Sequence, residues 1–177
     1  MWFAMMAAMM APSVWPWIRS YYRFSGRTGV PGIASTIEFA GGYLAVWLAY
    51  SIAAGFAQVE LRGAAFLASA VFLVAGLYQF APLKRACLTH CRSPFGYFLS
   101  RWPNGPAGGF RMGLHHGAYC VGCCWALMAT SLAVGVMNVW WMAALGATAL
   151  VEQIAPHGDK VRRAVGLALV VAAIRSG

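Results

Sequence analysis

Long apolar stretches, separated by short segments with arginine, lysine, glycine and proline, dominate the hydropathy pattern of this chain. The apolar runs cover about 1–18, 35–57, 64–83, 117–136, 137–155 and 161–175. A helix needs about 20 apolar residues to cross a hydrocarbon layer, and the four middle runs have that length. The first run contains two prolines, and the last run is short. The pattern predicts an all-α protein, a polytopic transmembrane helix bundle of about six spans.

The apolar stretch from Gly117 to Ala155 must contain a turn. It has 39 residues and would form a helix about 58 Å long, nearly twice the apolar thickness of a bilayer. The segment GVMN, Gly135 to Asn138, is the predicted turn, since glycine and asparagine favour turn conformations. The stretch is therefore interpreted as two spans.

One long connection, from Lys84 to Gly117, follows the third predicted span. Loops of this length inside a compact domain are commonly functional. Aromatic and apolar residues before its proline- and glycine-rich part predict a short interfacial helix; they are Phe95, Tyr97, Phe98, Leu99 and Trp102. No repeat or linker divides the sequence, so residues 1–177 are predicted to form a single transmembrane helical domain.

Composition agrees with a membrane protein. The chain is 61% hydrophobic and only 10% charged, whereas charged residues make up about a quarter of a soluble domain. The net charge of +9 does not indicate nucleic-acid binding, because the basic residues lie in short loops between apolar runs. No cleavable signal peptide is predicted, because the first residues lack a basic segment.

The basic residues predict the orientation of the spans. Eleven of the thirteen fall in the loops after spans one, three and five. They are Arg19, Arg23 and Arg27, then Lys84, Arg85, Arg92, Arg101 and Arg111, then Lys160, Arg162 and Arg163. Only Arg62 and Arg175 remain for the other side. Because cytoplasmic loops carry an excess of lysine and arginine, these three loops are predicted to be cytoplasmic and the C-terminus external.

All five cysteines fall in a window of 38 residues, and histidines accompany them. In CLTHC, residues Cys87, His90 and Cys91 have the spacing i, i+3, i+4, which is one helix face if the third helix continues past Pro82. Thiolate and imidazole are ligands that suit Cu(I) and Zn(II).

The second group, CVGCC, begins four residues after His116. In a helix, His116, Cys120 and either Cys123 or Cys124 share one face. The predicted topology brings both groups to the cytoplasmic ends of spans three and four. Together they predict a site for copper or zinc made by Cys87, His90, Cys91, His116, Cys120, Cys123 and Cys124.

Two further features are candidate accessories of this site. Met5 and Met9 belong to a methionine stripe in the first run, and Glu152 closes the fifth. A carboxylate in an apolar span is costly, so Glu152 is interpreted as balancing a cation, carrying a proton or pairing with Lys160. Packing is the alternative explanation for the methionines, and for cysteines that act as small hydrophobic residues.

Four segments carry a resemblance to a known family: AMMAP, GLYQFAPLKRACLTHCRSP, GCCWALM and VMNVWWM. The sequence resembles the bacterial membrane family called domain of unknown function 2182, described as predicted metal-binding integral membrane proteins. The resemblance covers nearly the whole chain and implies a multi-pass protein of the bacterial inner membrane. Members tend to have an additional upstream apolar segment, and often a lysine where this chain has Gln153.

These observations favour an integral membrane protein that handles or delivers copper or zinc, with no catalytic role. Its expected partners are the lipid bilayer and other membrane subunits or a metal-delivery protein. One alternative is a structural or assembly subunit of a larger membrane complex. Another is a thiol-disulfide oxidoreductase that uses Cys120 and Cys123, although such enzymes usually face the oxidising side of the membrane. A transporter is less supported, because no inverted repeat is evident.

Overall fold

A computed structural model describes residues 1–26, 32–60, 67–92, 96, 107–135, 138–155 and 157–176. All regular elements in these ranges are helices, which confirms the all-α prediction. In chain order they are α1 (Trp2–Ser25), α2 (Gly32–Glu60), α3 (Leu67–Tyr78), α4 (Pro82–Cys91), α5 (Gly108–Ala129), α6 (Ser131–Val134), α7 (Val139–Ile154) and α8 (Gly158–Ser176). The predicted interfacial helix lies outside the described residues, as do Arg27, Arg62 and Arg101.

Two helical segments of the described chain are long and apolar enough to cross a membrane. They are α2 and the segment Gly108–Val134, which joins α5 and α6. The bent pair α3–α4 makes a third if it counts as one span, and α7 is apolar but shorter. Two to three spans are thus supported by length and composition, and the count of six stays a prediction.

The third apolar run forms two helices with a 65° bend between them. Proline causes the break: Pro82 stands in the first turn of α4, where its missing N–H costs little, and Ala81 before it is extended at φ −61° and ψ 139°. The helix therefore does not run straight on past Pro82. Cys87, His90 and Cys91 nevertheless have the predicted helical spacing, because all three lie within α4.

A break in the helical structure falls at the predicted turn, GVMN. The helix ends at Val134, Gly135 has a positive φ of 101°, and α7 begins at Val139. The Asn138 side chain caps α7 by accepting a hydrogen bond from the Trp141 backbone N–H at 3.0 Å. The two residues between Gly135 and Asn138 lie outside the described chain.

Close backbone contact joins α2 and α5. A Cβ atom at Gly113 would overlap the carbonyl oxygen of Phe39, and one at Gly109 would lie 2.5 Å from the carbonyl oxygen of Ser35. From α2, a Cβ at Gly42 would overlap the Phe110 carbonyl oxygen. Small residues spaced four apart let two helix backbones approach closely. The glycines therefore determine how closely α5, which carries three of the cysteines, packs against α2.

Candidate metal site

The two cysteine-bearing helices, α4 and α5, pack against each other. All five cysteine side chains are buried, and all five are free thiols. The structure therefore brings the two sequence groups to neighbouring helices, although α4 reaches α5 after a bend and not as the end of a straight span.

Four of the thiols form a cluster around Cys123, which we call the thiol core. The Cys123 thiol lies close enough to the thiols of Cys91, Cys120 and Cys124 to interact electrostatically with each of them. The thiols of Cys123 and Cys124 also donate to the Cys120 carbonyl oxygen, at 3.1 and 2.8 Å. The thiol core therefore joins one residue of α4 to three of α5.

Cys87 lies at the edge of the thiol core. A Cβ atom at position 122 would stand only 3.0 Å from the Cys87 sulfur, so Gly122 makes room for this side chain. Cys87 interacts electrostatically with Cys123. Its role as a ligand stays a prediction.

His116 lies one helical turn before Cys120 and is 2% exposed. Its ring stacks on Trp17 with centroids 3.8 Å apart, and the Tyr43 ring lies 5.7 Å away. Among the described residues, the buried Nδ1 of His116 has no hydrogen-bond partner. A buried polar atom without a partner is costly, and a metal ion would satisfy an imidazole nitrogen.

Two residues that the sequence did not single out contact the thiol-bearing residues. The indole N–H of Trp17, from α1, donates to the Cys91 carbonyl oxygen at 3.2 Å. The Tyr43 hydroxyl, from α2, shares a hydrogen bond with the Cys120 sulfur at 3.4 Å. Buried aromatic residues are common in cores, so no pattern in the sequence distinguishes these two.

His90 lies apart from the thiol core, beside His115. Both are half-buried, and their ring centroids are 5.7 Å apart. Tyr119 stacks on His90 at 3.9 Å and meets His115 edge-on at 4.9 Å. His115, which is not among the ligands predicted from the sequence, therefore belongs to a histidine pair.

Glu152 forms a buried ion pair, but not with Lys160. Its Oε2 lies 2.7 Å from Lys84 Nζ, and its Oε1 accepts a hydrogen bond from Gln79 Nε2 at 3.3 Å. Lys84 had been assigned to a cytoplasmic loop, but its side chain is 1% exposed. The pair adjoins the thiol core through the next residue, because Gln153 Nε2 lies 3.8 Å from the Cys123 sulfur.

The candidate methionines are core residues of α1. Met5 and Met9 are both buried, and Met9 packs near Gly146 of α7. Their role as accessory ligands stays a prediction. In the described ranges, no three histidine, cysteine or acidic side chains are arranged as a ready coordination shell.

Comparison with known families identifies the protein class. A family model described as copper chaperone, PpoB2, matches residues 1–175. The chain belongs to the PpoB2 copper chaperone family. This membership confirms a metal-related family, whereas the family name suggested by the sequence motifs stays a prediction. No curated protein and no solved structure matches the chain.

Proposed function

We propose that this chain is an integral membrane protein that holds Cu(I) at the thiol core and delivers it to a partner protein. Its family is described as copper chaperone. The observation that carries the proposal is the burial of five free thiols on α4 and α5, two helices that pack against each other.

The donor set favours Cu(I). Thiolates are soft ligands that select Cu(I), and imidazole also suits copper. A cytoplasmic location would keep the thiols reduced and able to bind. The same residues offer a four-coordinate Cys/His set of the kind that holds structural zinc, so the identity of the metal is part of the test.

The proposed ligands are Cys91, Cys120, Cys123 and Cys124, with His116 as the imidazole donor. Each bound thiol must lose its proton, so binding releases protons.

A membrane location is supported by the outer face of α2. Its exposed apolar side chains recur every three to seven residues and include Ile33, Ile37, Leu44, Leu48, Ile52 and Phe56. An exposed apolar stripe of this length suits lipid contact. We propose six spans with the thiol core near the cytoplasmic side, in agreement with the bias of the basic residues.

The test is the metal content of the chain purified in detergent under reducing, anaerobic conditions. Mass spectrometry should find copper in the wild type and less copper, none of it bound to sulfur, in Cys120→Ser/Cys124→Ser. Thr130→Ser is the matched control, because it introduces the same residue type at a buried position just after α5 and retains a hydroxyl.

Other results would overturn the proposal. Zinc in place of copper would contradict the choice of metal. A metal-free wild type with oxidised thiols would favour thiol exchange, and a metal-free wild type with reduced, inert thiols would favour a structural subunit.

A further inference from the structure

The histidine pair, His90 of α4 and His115 of α5, lies outside the thiol core and has the geometry of a binding site. The two ring centroids are 5.7 Å apart, and the ring planes meet at 72°. We propose that this pair is a second Cu(I) site, which receives the ion before the thiol core does. The order of the two sites rests on the proposed function, but the existence of the second site does not.

The distance between the rings fits a shared ion. An imidazole nitrogen binds a metal at about 2.0–2.1 Å, which places the ion about 3 Å from the ring centroid. Two rings that share one ion then have centroids about 5–6 Å apart, depending on the angle at the metal. The observed separation of 5.7 Å lies in this range.

Tyr119 holds both rings in place. It lies one helical turn after His115, stacks on His90 at 3.9 Å and meets the His115 ring at 4.9 Å. On the side of α1, the Trp17 ring lies 6.1 Å from His90 and is nearly parallel to it. Ligands that are fixed before binding lose less conformational entropy when the ion arrives.

The difference in exposure between the two sites indicates which of them the ion reaches first. The rings of His90 and His115 are half-buried, whereas the thiols of the core and His116 are buried. The Trp17 ring adjoins both sites, because its centroid lies 6.1 Å from that of His90 and 3.8 Å from that of His116. An ion that moves inward replaces copper–nitrogen bonds with copper–sulfur bonds and stays Cu(I), while each thiol that binds releases its proton to solvent.

The first experiment counts the copper ions that the detergent-purified chain binds from a buffered Cu(I) solution without oxygen. We expect about two ions per chain in the wild type and about one in His115→Ala. His157→Ala is the matched control, because His157 is exposed and lies just before α8. Equal copper in wild type and His115→Ala would overturn the second site.

The second experiment separates this site from the thiol core. In Cys120→Ser/Cys124→Ser, about one ion should remain, with nitrogen but no sulfur neighbours by X-ray absorption, and adding His115→Ala should remove it. Loss of all copper in the double-serine variant while it retains wild-type helicity would overturn the histidine site. Unchanged copper in that variant, with loss only in His115→Ala, would overturn the thiol site and leave the histidine site standing.

The rate of copper uptake tests the order. His115→Ala should load the thiol core at least about 10-fold more slowly than wild type, while the final thiol-bound copper is unchanged. Equal loading rates would contradict the receiving role.

Discussion

Lys84 Nζ lies 2.7 Å from Glu152 Oε2, and their side chains are 1% and 3% exposed. The contact joins the start of α4 to the end of α7. Gln79, in the break between α3 and α4, bonds to both side chains. Because α4 carries Cys91, this ion pair helps to set the position of one helix of the thiol core.

Glu152→Gln should destabilise the protein strongly, because it leaves the Lys84 ammonium buried without a counter-charge. Loss of one partner of a buried ion pair costs about 3–5 kcal/mol in free energy of unfolding. Chemical unfolding in detergent, followed by circular dichroism, measures the change. Asp159→Asn is the control: Asp159 is 46% exposed and its ion pairs to Arg92 and Arg162 are 3.6 and 3.8 Å long, so the cost should be about 1 kcal/mol or less.

Removal of both charges in Lys84→Met/Glu152→Leu should restore much of that stability. Apolar residues of similar volume often replace a buried ion pair at little cost. A double variant as unstable as Glu152→Gln alone would show that the charges themselves are required by the fold.

Gly42→Ala and Gly41→Ala should have opposite effects, although the two positions are adjacent. A Cβ at Gly42 overlaps the Phe110 carbonyl oxygen, whereas one at Gly41 has its nearest neighbour 3.9 Å away, in the Phe110 ring. The first change should cost about 1–3 kcal/mol by forcing α2 and α5 apart. The second should be neutral or stabilising, since alanine favours helix over glycine by about 1 kcal/mol. Thermal unfolding of both variants checks the difference; equal melting temperatures would contradict the close contact of α2 and α5.

Tyr43→Phe should weaken Cu(I) binding about 10-fold, because the Tyr43 hydroxyl bonds to the Cys120 sulfur at 3.4 Å and loss of such a partner typically costs 10- to 100-fold in metal affinity. Competition with a chromophoric Cu(I) chelator gives the affinity. Tyr50→Phe is the matched control: the Tyr50 hydroxyl donates to the Trp125 carbonyl oxygen at 2.8 Å, on the same pair of helices, so the change removes a bond to a backbone oxygen and not to a sulfur. An equal loss in both variants would indicate a general effect on packing.

Cys123→Ser should lower copper affinity more than Cys87→Ser. The Cys123 thiol interacts with three other thiols, whereas the Cys87 thiol packs against Gly122 at the edge of the thiol core. We expect a loss of at least about 100-fold for Cys123→Ser and about 10-fold or less for Cys87→Ser. Competition with the same Cu(I) chelator measures the affinity of both variants. The reverse ranking would place Cys87 at the centre of the site.

The apolar runs predicted the helices well, because a long apolar stretch has few other ways to satisfy its backbone. The meeting of CLTHC and CVGCC also followed from their order along the chain. The direction of α4 could not be predicted from the sequence. Pro82 indicates a break in the helix, but a proline does not determine the angle of the bend.

Contacts from distant segments were the least predictable. Trp17 reaches the Cys91 carbonyl across 74 positions, and a buried tryptophan has no sequence signature that separates this contact from ordinary packing. The position of Lys84 after an apolar run predicts a loop, and only the fold shows that its side chain meets Glu152. The pairing of His115 with His90 joins two helices, and no pattern in the sequence predicts it.

The bend between α3 and α4 has a consequence for the peptide groups that it interrupts. Where a helix breaks inside an apolar bundle, its last carbonyl groups lose their helical donors, and no water replaces them. The guanidinium of Arg162, in α8, donates to the carbonyl oxygen of Gln79 at this break. A cation on the last helix thus solvates the backbone where the third helix ends. Substitution of Arg162 by an uncharged residue should therefore change the backbone conformation at the break. The orientation of α4, and with it the position of its cysteines, should change as a result.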